Sequence, residues 1–314
     1  MNSAAVQQDN EHVPVLLDEV VSGLNIPNDG IYVDLTIGRA GHASKILKAI
    51  PHGMLYGFDQ DQEAIKEATR ILAKHRDNYS LIEMNFVQAA DYLQSIGITE
   101  VDGVLLDLGV SSPQFDQAER GFSYRKDGPL DMRMDQIHNP LTAAQIVNTY
   151  SLEELTKIFR EYGEERFAYQ ISKNIVRQRY HAPINTTFEL VEIIKASKPA
   201  KELRKPGHPA KQVFQALRIA VNDELNVLKT TLADMLGILK SGGRLAVITF
   251  HSLEDRIVKN VFKSVAVVEG NRRLPYQEEA QYRLVNRQVI VPSSEEVLLN
   301  HRAHSAKLRI IERK

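Results

Sequence analysis

Ile31-Tyr32-Val33-Asp34-Leu35, followed by Thr36-Ile37-Gly38-Arg39-Ala40-Gly41-His42, reads as a buried strand running into a glycine-containing turn. Helical spacing follows over 43–50, a second short apolar run over Met54–Phe58, and a helix stripe over 62–75 in which Ile65, Ala68 and Leu72 share one face. Residues 81–87 form a weaker strand candidate, and Val101–Leu108 is the strongest buried run of the chain. Strands alternating with helices predict right-handed βαβ units and an α/β fold with a mostly parallel, Rossmann-like sheet.

That rhythm stops at 113–140, which carries Gly, Pro, Asp and Met without a period and reads as a long loop. Residues 151–161, 165–180, 186–196 and 209–240 read as helical. The strand pattern resumes at Arg244–Phe250, after a turn signal at Ser241-Gly242-Gly243, with later strand candidates at 283–291 and 307–311. The expected organisation is a discontinuous sheet domain, 1–112 with 218–314, interrupted by an all-helical insertion over 113–217. Residues 1–11 read as a frayed arm.

Composition removes whole classes of chemistry. The 314 residues include no cysteine, which excludes disulfides, thiolate zinc sites, iron–sulfur clusters and cysteine nucleophiles. Net charge is −1, so any nucleic-acid binding must be local. There is no apolar signal core and no long apolar span, and the expected location is cytoplasmic. The ten histidines are scattered and no H-E-x-x-H occurs, so no metal site is expected. A G-x-S-x-G elbow is also absent, which argues against Ser-His-acid hydrolysis.

Open parallel sheets bind ligands beyond the carboxyl ends of their strands. Gly38 and Gly41 allow a tight turn there, although neither G-x-G-x-x-G nor a P-loop is present. Asp59 ends the second strand, where an acid can accept hydrogen bonds from both hydroxyls of a ribose. Phe86 closes the third strand candidate and can pack on an adenine face or in the core. Acids at successive strand ends after a glycine turn fit NAD or S-adenosylmethionine. The missing pyrophosphate fingerprint disfavours NAD, and a sulfonium cation suits acidic strand ends.

The run Asp107-Leu108-Gly109-Val110-Ser111-Ser112-Pro113-Gln114 is far more distinctive, together with 119–123 and Asp127-Gly128-Pro129-Leu130-Asp131-Met132-Arg133-Met134. With 12–19, 162–168, 214–219, Phe250-His251-Ser252-Leu253-Glu254-Asp255-Arg256 and 305–309, it closely resembles the bacterial small-subunit ribosomal RNA cytosine-N4 methyltransferases, the RsmH or MraW family. The resemblance covers nearly the whole chain. It implies a class I methyltransferase sheet, S-adenosylmethionine as cofactor, and methylation of the exocyclic N4 amine of a cytosine in 16S RNA near the decoding centre. Its implied partner is small-subunit ribosomal RNA, free or in the assembled small subunit. A homodimer is compatible with it; a membrane partner is not. Cofactor contacts are implied at the turn Gly38, Ala40, Gly41 and His42, and at Asp59, Phe86, Asp107 and Gln114. The chain departs from the family at Ala40, where a second glycine is usual, and slightly at Leu35. An alanine is accommodated there if its φ is negative.

Without a cysteine, covalent activation of cytosine carbon 5 is closed, whereas amine methylation is a direct in-line displacement. An acceptor for the amine protons would localise the nitrogen lone pair. Asp107 is the first candidate, with the cofactor's adenine amine as its competing partner. Ser111, Ser112 and Pro113 occupy the place of an amino-methyltransferase substrate loop, and equally fit a helix start. His251 ends another strand and can orient the base or relay a proton; Ser252-x-x-Asp255 beside it reads as a capping box.

Residues 195–218 hold Lys195, Lys198, Lys201, Arg204, Lys205, Lys211 and Arg218 against one acid, Glu202, with His208 added. Such a window predicts a phosphate-tracking patch, with Lys201, Arg204, Lys205 and Lys211 as its RNA contacts. Arg166, Lys173 and Arg177 read as one face of a helix. A stacked base must leave its helix to be methylated, and Phe115, Phe122 and Tyr124 are candidates to receive it, with core packing as the alternative. A catalytically silent RNA-binding module, a nicotinamide dehydrogenase and a methyltransferase acting on DNA or protein are the rival readings.

Overall fold

The computed structural model describes residues 14–109, 112–267 and 279–314. The arm expected over 1–11 and the candidate Ser111 lie outside them, and of Ser112 and Pro113 only the backbone is considered. In chain order the elements are α1 (Leu17–Leu24), β1 (Ile31–Asp34), α2 (Gly41–Ala49), β2 (Met54–Asp59), α3 (Gln62–Leu72), β3 (Tyr79–Glu83), α4 (Ala89–Ser95) and β4 (Val101–Asp107). Eight helices follow: α5 (Ser112–Asp116), α6 (Ala143–Thr149), α7 (Leu152–Glu161), α8 (Ala168–Arg179), α9 (Thr187–Ala196), α10 (Ala200–Leu203), α11 (Lys211–Asn222) and α12 (Glu224–Gly237). The chain closes with β5 (Leu239–Thr249), α13 (Ser252–Ala266), β6 (Tyr282–Leu284), α14 (Ser294–Leu299) and β7 (Lys307–Arg313).

Two compact units result: residues up to 108 with 231–314, and residues 109–230. The first holds a seven-stranded sheet in the order β3-β2-β1-β4-β5-β7-β6. β1 to β5 pair in parallel, β7 runs antiparallel to β5, and β6 antiparallel to β7. This is the α/β, mostly parallel sheet that the sequence leads one to expect. Strand order reverses between β1 and β4, the point beyond whose strand ends open α/β sheets bind their ligands. Tyr32, Leu55, Ile46 and Leu105 are buried in the core of this unit.

Two strands differ from expectation. Ser241-Gly242-Gly243 does not precede β5 but lies inside it. Val101 pairs with Leu239 and Gly103 with Arg244, so the extra residues loop out as a bulge, which Gly242 permits at φ +82°. The strand expected over 283–291 shortens to Tyr282–Leu284 plus a single bridge from Ile290 to Leu308.

In the second unit, the stretch expected to be loop is loop for most of its length after α5 and contributes residues to the core. Phe122, Leu130 and Met132 are buried with helical residues such as Phe159, Ile171, Leu190 and Leu217. The Arg120 guanidinium donates to the carbonyls of Arg133 and Met134, and Arg133 pairs with Asp131 at 2.8 Å. Side chains cap the helices: Thr142 with Gln145, Ser151 with Glu154 and Thr186 with Glu189 form capping boxes. The helix expected over 209–240 breaks at Asp223, whose φ is +50°. The domain boundary expected at 217 falls within α11, where Leu217 and Val221 are both core residues, and the unit runs on to 230. Among the described residues no helix is long and apolar enough to cross a membrane.

Candidate active site

Three aspartates end neighbouring parallel strands of the sheet unit: Asp34 on β1, Asp59 on β2 and Asp107 on β4. Each strand is mostly apolar and ends on its acid, which is buried at Asp34 and half-buried at Asp59 and Asp107. Asp34, 2% exposed, accepts from the Thr36 amide at 3.1 Å; burial, and the charge of Asp59, push its pKa up to about 7. Asp59 accepts from the amides of Gly38 at 3.0 Å and Asp61 at 2.9 Å. Burial still raises it to about 6, with Asp61 adding to the rise. Burial dominates at Asp107 too, and with the charges of Asp34 and Glu254 takes it to about 8. Each carboxyl is therefore held up by burial and by another acid, an arrangement that favours a cationic or hydrogen-bond-donating ligand.

The turn after β1 is built for close approach. A Cβ on Gly38, at φ +47°, would meet only the Thr36 carbonyl oxygen, at 3.8 Å, so the space above this backbone is open. One on Gly41 would stand 2.2 Å from the Pro14 ring, which explains a glycine there in packing terms. Ala40 corrects the expectation: its φ is +55°, not negative, and its methyl is fully buried at the start of α2. The left-handed conformation costs an alanine about 1–2 kcal/mol.

His42 and Asp107 come together. The His42 ring, 5% exposed, places Nε2 3.0 Å from the Val15 carbonyl and Nδ1 3.6 Å from Asp107 Oδ2. The Asp107 amide donates to Thr36 Oγ1 at 2.7 Å. Its Oδ1 is buried and has no hydrogen-bond partner among the described residues. An orphaned acceptor of this kind is costly unless something outside the chain donates to it.

His251 has a structural role the sequence placed one residue later. It, not Ser252, is the N-cap of α13: its ring accepts from the Glu254 amide, and Glu254 accepts from the amides of His251 at 3.3 Å and Phe250 at 2.8 Å. His251 Nε2 also lies 3.0 Å from Glu254 Oε1. Glu254, buried and acting on Asp107, is a site residue that sequence reasoning missed, as is Thr36. Phe86 is half-buried in a 3-10 turn after β3, beside the Asn85–Gln60 hydrogen bond of 2.8 Å. Gln114 is buried and belongs to the helical unit, on α5, whose first residues are Ser112 and Pro113.

In the helical unit, folding thins the cationic window. The Lys198 side chain is only 7% exposed and donates to Glu165 at 2.6 Å and to the Pro209 carbonyl at 2.7 Å. Arg218 makes a two-pronged pair with Glu224 at 2.8 Å, and Lys195 pairs with Glu192 at 2.7 Å. Lys201, Arg204, Lys205 and Lys211 are exposed, Lys205 with Glu202 at 2.8 Å. Lys173 and Arg177 are exposed on α8, whereas Arg166 precedes that helix. Phe122 is core, while Phe115 and Tyr124 are partly buried against it.

Comparison with known proteins matches residues 9–314 to the MraW methylase family. A protein of Mesoplasma florum named ribosomal RNA small subunit methyltransferase H is 53% identical over 97% of this chain and 99% of its own length. Proteins of the same name from Spiroplasma kunkelii (54% identical, 96% of this chain, 98% of that protein) and Streptococcus dysgalactiae subsp. equisimilis (51%, 96% and 97%) are similar throughout.

Proposed function

The chain belongs to the MraW methylase family, whose methyl donor is S-adenosylmethionine, and from that premise we propose that it methylates the exocyclic N4 amine of a cytosine in small-subunit ribosomal RNA, near the decoding centre. The observation that carries the reading is the family match from residue 9 to 314, supported by relatives at 51–54% identity that are named for small-subunit ribosomal RNA. Absence of cysteine supports the amine over carbon 5 as the acceptor.

The residues present fit the cofactor: an orphaned acceptor at Asp107, open space over Gly38, and three carboxyls short of positive charge. When bound, S-adenosylmethionine supplies a methyl group activated by its sulfonium. Asp59, already fixed by two amides, accepts the ribose hydroxyls. The turn Gly38, Ala40, Gly41 and His42 gives backbone contact, and Phe86 and Gln114 complete the cofactor set. Asp107 Oδ1 accepts from an amine, of the adenine or of the target cytosine. Substrate-handling roles are assigned to Ser111, Ser112 and Pro113, and to His251, which would orient the base or relay a proton. Holding the amine in line supplies about 7–11 kcal/mol of barrier reduction. The helical unit, 109–230, binds RNA through Lys201, Arg204, Lys205 and Lys211, and the protein works in the cytoplasm.

The test is transfer of labelled methyl from S-adenosylmethionine to purified ribosomal subunits that lack the modification. Label in small-subunit RNA, and none in large-subunit RNA, is expected. Calorimetric titration without measurable cofactor binding would instead favour a catalytically silent binding module. Asp107→Ala separates the two amine partners: lost cofactor affinity marks adenine, and lost turnover at unchanged affinity marks cytosine.

A further inference from the structure

In the helical unit the rings of Tyr124 and His208 are stacked, with centroids 4.4 Å apart and planes 15° from parallel. Tyr124 is fixed from the core side by the edge of Phe214, at 5.7 Å and 90°. His208 is fixed as well: the Ala210 amide donates to its Nδ1 at 3.3 Å. It stays half-buried, in the loop that follows α10. Gly207 beside it is at φ +95°, with nothing within 4 Å of where a Cβ would stand. An imidazole has two faces, and Tyr124 covers one.

Charge around this pair is positive. Lys201, Arg204 and Lys205 precede His208, Lys211 follows it, and Arg125 adjoins Tyr124; all are exposed. Burial, reinforced by Lys195, Arg125 and Lys198, holds the His208 pKa below the usual histidine value. Lys195 and Lys198 are themselves paired with Glu192 and Glu165. The ring is therefore uncharged at neutral pH. A neutral flat ring on a rigid aromatic support, set among exposed cations, is poorly suited to binding a phosphate by itself and well suited to a base whose phosphates the cations meet.

We propose that Tyr124 and His208 form a stacking platform for one base of single-stranded RNA, with Arg125, Lys201 and Arg204 receiving the adjoining phosphates. This deepens the reading of RNA as the substrate and rests on it. Stacking is sequence-tolerant, so the platform grips the strand and does not select the target cytosine.

The test uses the full-length protein and a fluorescein-labelled, unstructured RNA oligonucleotide, read by anisotropy over a salt series. His208→Ala is expected to weaken binding at least about fivefold with the salt slope unchanged, and His208→Phe to restore it to within about twofold. Lys201→Ala with Arg204→Ala is expected to lower both affinity and slope. Heparin, a polyanion without bases, should bind wild type and His208→Ala alike. Wild-type RNA affinity in His208→Ala, while the lysine–arginine variant is weakened, overturns the platform and leaves the RNA reading standing. Equal loss of heparin and RNA binding also overturns the platform, because the effect is then not stacking. Wild-type protein that binds no RNA overturns both.

Discussion

His42 Nδ1 lies 3.6 Å from Asp107 Oδ2 while Nε2 of the same ring lies 3.0 Å from the Val15 carbonyl oxygen. A carbonyl only accepts, so Nε2 carries the proton, and in the neutral ring Nδ1 is the bare nitrogen facing the carboxyl. Asp107, half-buried, keeps its own proton up to about pH 8 because desolvation and the charges of Asp34 and Glu254 raise its pKa.

This fixes the pH dependence of the ligand-free protein. In the unfolded chain the three aspartates lose their protons near pH 4. Folded, Asp59, Asp34 and Asp107 hold theirs to about 6, 7 and 8. The folded state thus binds more protons between about pH 4 and 8, and stability falls as pH rises through that window. Melting temperature should decline from pH 5 to 8, and Asp107→Asn should flatten the upper part of the decline. A wild-type melting temperature that is constant or rises to pH 8 would contradict the assignment.

Cofactor binding should show the reverse slope. A sulfonium near these carboxyls favours their charged forms, so S-adenosylmethionine should bind more tightly as pH rises from 6 to 8, by up to about tenfold per unit for each proton released. S-adenosylhomocysteine, an uncharged thioether, should respond less. Calorimetry in buffers of different ionisation enthalpy measures the proton release; equal slopes for the two ligands would remove the sulfonium from the acid cluster.

Ala40 and Ala43 are both fully buried at the start of α2, but only Ala40 has a positive φ. Ala43→Gly should cost roughly 2 kcal/mol, from helix propensity and a lost buried methyl. In Ala40→Gly the relieved strain offsets the lost methyl, and the change in stability should stay within about 1 kcal/mol. Urea denaturation compares them, and equal losses would show that the strain at 40 is not real.

Cations of the helical unit divide into supports and ligands. Lys198→Met strands the buried Glu165 carboxylate and should cost about 3–5 kcal/mol. Lys201→Ala, on an exposed cation, should change stability by less than about 0.5 kcal/mol while weakening RNA binding. Denaturant midpoints and RNA anisotropy on both variants check the division; a stable Lys198→Met protein would count against it.

Much of the sheet was legible because β1, β2 and β4 are short, mostly apolar runs that end on an acid, a pattern parallel strands impose. Short helices such as α1, α4 and α6 were not, since seven or eight residues carry barely two turns of period. The loop over 113–140 was legible as loop, but not its internal order, which comes from Arg120 and Arg133 binding carbonyls within the same stretch and leaves no periodic trace. Window counting of the basic stretch overstated its free charge, because Glu165, Glu192 and Glu224 lie outside the window. Glu254 was hidden for a similar reason: it lies inside the expected Ser252–Asp255 capping box, and only folding brings its charge to bear on Asp107.

The most direct measurement of the central claim is the identity of the methylated nucleoside. Small-subunit RNA treated with the protein and isotopically labelled S-adenosylmethionine should be digested and analysed by mass spectrometry. N4-methylcytidine bearing the label, lost with Asp107→Ala, is the expected product. Label on carbon 5 of cytosine, or on any other base, would contradict the account.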